Sequence, residues 1–145
     1  MRRLKSERGT VILETALTLP LLLLVSVSIF EFGRAYQTWQ VLTNAAREGA
    51  RIAILPGQTT GNVQARVRQY MTSGQLSNVG TASVAVNQGA SISIGATGTA
   101  SASVVTVNYP FSFMVLQPIA RLVVSGSRLG TPFTLTASAE MRNEQ

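Results

Sequence analysis

Apolar positions run almost unbroken from Thr10 to Phe32, and within that run only Glu14 and Glu31 ionise. At about 1.5 Å per residue the run is ~34 Å long as a helix, enough to cross a hydrocarbon core of ~30 Å. Beyond Gly33 the pattern turns amphipathic. Gln37, Gln40, Asn44, Arg47 and Arg51 recur at spacings of three and four and form one wet stripe. Opposite them lie Ala35, Trp39, Leu42, Ala46, Gly49 and Ala53, mostly small residues that let another element approach the backbone closely. A glycine inside a helix costs ~1 kcal/mol against alanine, so Gly49 reads as a packing position. Pro56-Gly57 ends the pattern. The prediction is one helix of roughly 45 residues, its first half in lipid and its second half under a domain, with a bend expected at Pro20.

The remaining chain changes period twice. Val63, Val67, Tyr70 and Met71 predict a short second helix ending near Gly74. After Gly80 alternation takes over: a strand around Ala82, Val84 and Val86, a turn at Asn87-Gln88-Gly89, and a second strand through Ile92 and Ile94. A turn at 95–98, a third strand at 103–109 closed by Pro110, and a last strand at 133–141 follow. Residues 113–124 are apolar, with Phe113, Leu116 and Ile119 at helical spacing. They include Gln117, Pro118 and Arg121 and are too short to span, which leaves a core helix or an amphipathic surface segment. The fold class expected is α+β, a long helix packed by a small antiparallel sheet. The division expected is a leader at 1–9, a transmembrane helix at 10–33, its extracytoplasmic continuation at 34–55 and a small α+β domain at 56–145.

Charge sets the orientation. Arg2, Arg3, Lys5 and Arg8 precede the span, against Arg34 just after it, so the positive-inside rule holds the N-terminus in the cytoplasm. Tyr36 and Trp39 fall where an aromatic belt would mark the outer interface. The formal charge of +6 invites a nucleic-acid reading, but half of it belongs to the leader and the other arginines are scattered. Nucleic acid is not an expected partner; membrane lipid is. The chain has no Cys, no His and no Asp. That excludes disulfides, His- or Cys-based zinc sites and His-based acid–base chemistry. Past the span the carboxylates are Glu48, Glu140 and Glu144, a poor set for a catalytic pair. Neither an enzyme, a small-molecule substrate, a metal nor a cofactor is expected.

Glu14 is the residue that the membrane reading must explain. Near a helix start, an anion is favoured by the helix dipole and can reach the interface, which accounts for tolerance. Its place in the sequence offers a second account. A short basic leader ends at Gly9, the apolar helix follows at once, and Glu14 is the fifth residue after that glycine. This resembles the leader of type IV pilins and pseudopilins. The resemblance implies cleavage by a prepilin peptidase between Gly9 and Thr10, and pairing of Glu14 with the new N-terminal amine of a neighbouring subunit. A carboxylate and an ammonium can share lipid when each neutralises the other.

A more specific resemblance spans about a third of the chain. Glu14, Leu17 and Leu19-Pro20-Leu21 are followed by Glu31-Phe32-Gly33-Arg34 and by Asn44-Ala45-Ala46-Arg47-Glu48-Gly49-Ala50-Arg51, and the chain ends LTASAEMRNEQ. This is similar to the TadE-like family, whose members are minor pilins or pseudopilins of the Tad (Flp) pilus machinery. The resemblance implies a bacterial inner-membrane subunit of an adhesion or secretion pilus, partnered by other pilin and pilus-assembly subunits and by the prepilin peptidase.

Three alternatives stay open on the residues alone. Glu31 and Arg34, three apart, can form a surface pair worth ~0.3 kcal/mol or can fix a partner contact. Gly33-Arg34-Ala35 offers small residues to a secretory signal peptidase, although the apolar run exceeds the usual core of such a signal. The chain could also be a signal-anchored extracytoplasmic binding module independent of any pilus. Expected site residues are therefore Gly9 and Thr10 for processing, Glu14 for assembly, and Trp39, Leu42, Ala46, Gly49 and Ala53 for packing of the domain on the helix.

Overall fold

The computed structural model describes residues 4–95, 98–118 and 131–143, with the backbone alone for 4–8. The leader side chains before Gly9, residues 96–97 of the expected turn, the apolar positions from Ile119 onward with Arg121, and Glu144 lie outside the described residues. The chain is α+β: a long helix α1 (Leu4–Ala53), a second helix α2 (Thr60–Ser73), a short 3-10 turn (Val79–Thr81), and strands β1 (Ser83–Ile94), β2 (Gly98–Phe111) and β3 (Phe133–Arg142). It divides into two compact units. One holds Met1–Arg34 with Phe113–Thr131, the other Ala35–Ser112 with Pro132–Gln145.

α1 runs through Pro20 without interruption and begins at Leu4, ahead of Gly9. In the uncut chain Glu14 is therefore ten residues, ~15 Å, from the first helical residue. The dipole fades within the first turn, so the helix start does not stabilise Glu14 unless the chain is cut. Gly9–Ala53 is long and apolar enough to cross a membrane; its most apolar window has a mean hydropathy of 2.1 and none of it is buried.

The second unit is built on the later half of α1. Thr59 caps α2, its Oγ1 accepting the Asn62 N–H at 3.3 Å, and Gly74 closes it by donating to Tyr70 O at 2.9 Å. Val63, Val67 and Met71 recur every four residues and are fully buried. The sheet is antiparallel in the order β1-β2-β3. Val105, Val107, Tyr109 and Phe111 alternate along β2 as buried positions, and Leu42, Ala45, Ala46 and Ala50 supply the α1 side of the core.

Two sequence expectations need correction here. Asn87-Gln88-Gly89 is not a turn. Both halves of β1 pair with β2, Asn87 with Val104 and Ala90 with Ala102, and the extra residue forms a bulge. β2 is long enough to serve both halves, so one strand replaces the two expected. The second correction concerns Pro110, which does not close β2: the strand continues to Phe111, and Pro110 pairs with Thr134 of β3. β1 pairs only as far as Asn108, so the missing N–H of Pro110 falls on the free side of β2, where no ladder bond is lost.

Candidate functional site along the N-terminal helix

The residues expected to carry processing and assembly sit on a bare helix surface. Gly9, Thr10 and Glu14 are exposed, as are Leu13, Leu17 and Leu21 around them, each above 60%. Most hydroxyls of the span are satisfied by the helix itself. Thr15 donates to Val11 O at 2.8 Å, Thr18 to Glu14 O at 2.9 Å, Ser26 to Leu22 O at 2.9 Å and Ser28 to Leu24 O at 2.8 Å. In lipid such back-bonding removes the cost of a polar side chain. The carboxylate of Glu14 has no such remedy. Among the described residues no cation pairs with it.

Glu31 behaves differently: the expected i,i+3 pair with Arg34 forms, but its carboxylate is not on the surface. Its side chain is fully buried. The carboxylate accepts Arg34 Nη2 at 2.9 Å and the Val115 N–H at 2.6 Å, a bond across 84 residues. Phe32 meets Phe113 edge to face, ring centroids 6.2 Å apart. A local i,i+3 spacing carries no sign of a donor that arrives from so far along the chain.

On the second half of α1, Leu42 and Ala46 are fully buried, Ala53 is nearly so and Gly49 is buried. A Cβ placed on Gly49 would lie 2.5 Å from Val67 Cγ2 and 3.1 Å from Val105 Cγ1, so α2 and β2 both press against this glycine. Trp39 stands apart, 41% exposed, with its ring 6.2 Å from that of Tyr36. Ala45 and Ala50 join the buried face, which the sequence pattern had not singled out.

Two polar clusters also escaped the sequence reading. Glu48 takes both Arg51 Nε and Nη2 at 2.8 Å and is reached by Arg66 Nη2 of α2 at 3.0 Å. Those bonds, Arg51 foremost, outweigh burial and hold its carboxyl down at about 2. Gln88, at the bulge, donates to Ala53 O and to Gln58 O, both at 3.1 Å, and so satisfies the carbonyl of the last α1 residue. The lone acidic residue in an arginine-rich stretch was a usable signal for the first cluster; the second had none.

The family model of TadE-like proteins matches residues 9–51. Residues 9–51 are TadE-like. The TadE-like segment begins at the glycine that ends the basic leader and takes in Glu14, the Glu31–Arg34 pair and the arginine-flanked Glu48. It ends within the last turn of α1, short of α2 and the sheet. No curated protein and no solved structure matches the chain.

Proposed function

We propose that this chain is a single-pass minor pilin or pseudopilin of a Tad (Flp) pilus, without catalytic activity. It is held in the bacterial inner membrane by the first half of α1, with its N-terminus in the cytoplasm and its sheet unit outside. A prepilin peptidase removes residues 1–9, and the subunit then assembles with other pilins side by side in the membrane. The observation that carries this reading is Glu14: an exposed carboxylate with no partner cation among the described residues, on an apolar helix where Thr15, Thr18, Ser26 and Ser28 all bond back to their own backbone. Such a group is costly in lipid unless a neighbouring chain supplies a cation.

Cleavage at Gly9 strengthens that account. It makes Thr10 the first residue and brings Glu14 to the fifth, within reach of the amine that a neighbouring chain acquires in the same cut. The test is crosslinking in native membranes followed by identification of the captured proteins. Recovery of pilins and pilus-assembly proteins supports the proposal; a subunit that crosslinks to none of them refutes it.

A further inference from the structure

We infer that residues 113–118 are a second membrane-contacting element, an uncharged and mostly apolar segment held by Glu31 in the boundary between lipid headgroups and acyl chains. The inference rests on the proposal that the first half of α1 spans the membrane.

Its depth follows from its anchor. The Val115 N–H is bonded to the carboxylate of Glu31, and Phe113 packs against Phe32, so this short stretch is fixed to the last turns of the apolar run. The burial of Glu31 serves this placement. A carboxylate at that end of the span is tolerated because Arg34 and a backbone N–H neutralise and satisfy it. What the arrangement leaves outward is apolar: Met114 is 66% exposed and Val115 38%, on the same unit as Phe30 at 64% and Phe32 at 62%. The sequence supports a lipid contact too, for no residue between Arg68 and Arg121 is charged.

Lipid is the occupant because the exposed Phe30 and Phe32 belong to the proposed span, and Met114 and Val115 belong to the same compact unit, tied to it through Glu31 and Phe113. The anchor fixes how deep the element can go. Glu31 and Phe32 stand at the end of the apolar run, so a segment held to them sits where the hydrocarbon gives way to the headgroups. The boundary layer offers both water and apolar contact.

The chain has no cysteine, so single labels can be placed by Met114→Cys and, as a span reference, Leu23→Cys. Each full-length protein, carrying an environment-sensitive fluorophore, is reconstituted in vesicles of phosphatidylethanolamine and phosphatidylglycerol. The expected result is that the label at 114 is quenched by lipids bearing a quencher near the headgroup and protected from aqueous iodide. The label at 23 is quenched from the chain ends. With Glu31→Ala added, quenching at 114 should fall while that at 23 is unchanged. Iodide access at 114 overturns the inference, as does protection from both quenchers, which would mean a protein contact such as a second copy. If 23 is quenched and 114 is not, the inference alone fails; if neither is quenched, the span fails with it. Undiminished quenching at 114 in the Glu31→Ala protein overturns the anchoring role of Glu31.

Discussion

Replacing Gly49 tests the packing of the sheet unit on α1 with a sign that separates two effects. Alanine at a helical glycine should by itself stabilise by ~1 kcal/mol. Here the new methyl would lie 2.5 Å from Val67 Cγ2 and 3.1 Å from Val105 Cγ1. Both valines are fully buried, and a β-branched side chain has little rotamer freedom with which to withdraw. Overpacking of this kind costs ~1–3 kcal/mol, so Gly49→Ala should come out about 1 kcal/mol less stable despite its better helix propensity. Gly49→Leu, with three further carbons to place, should lose ~3 kcal/mol or more. For a unit of this size 1 kcal/mol corresponds to ~4–8 °C in Tm. Thermal unfolding of the full chain in detergent micelles, followed by circular dichroism, gives the shift. Limited proteolysis shows where it acts: the sheet unit should become cleavable while the span stays protected. A Gly49→Ala protein that melts higher than wild type, or a Gly49→Leu protein as resistant as wild type, would refute the steric argument.

The carboxyl of Glu48 is held near 2, against 4.5 for the free group, so its contribution is full above pH 4.5 and is lost as pH falls toward 2. Because Arg51 and Arg66 are about half exposed, the effect should be ~1 kcal/mol after solvent screening; the drop in Tm between pH 7 and pH 3 should shrink in Glu48→Gln, and an unchanged drop counts against it. Gln88→Ala removes two donors from Ala53 O and Gln58 O and should cost ~1–2 kcal/mol, with faster hydrogen exchange across residues 50–58; exchange at the wild-type rate would contradict the capping role. The mature protein should begin at Thr10, and N-terminal sequencing that found Met1 or Tyr36 instead in pilus-competent cells would exclude processing at Gly9.

How much of this was legible beforehand depended on the reach of each interaction. α1 could be read because its apolar run and its wet stripe are local periodicities, and Gly49 stood out because glycine has a known cost at such a place. The strands could be read from alternation, but their number could not. Asn87-Gln88-Gly89 has the composition of a turn, and only the length of β2 makes it a bulge. The helical backbone reaches back to Leu4, a continuation that a charged leader ending in Gly9 does not advertise. Glu31 and Glu48 share an i,i+3 arginine, which by itself suggests a weak surface pair. Their decisive partners, Val115 and Arg66, come from distant parts of the chain.

The central claim is that Glu14 is retained for contact between subunits. Glu14→Leu removes a charge that no described residue neutralises from the first half of the span, so insertion should be at least as good as wild type. Cleavage after Gly9 should persist, since the scissile bond lies several residues away. What should be lost is recovery of partner pilins by co-immunoprecipitation from membrane extracts, together with surface pili. Normal partner recovery and normal piliation in correctly inserted, processed Glu14→Leu protein would contradict the account.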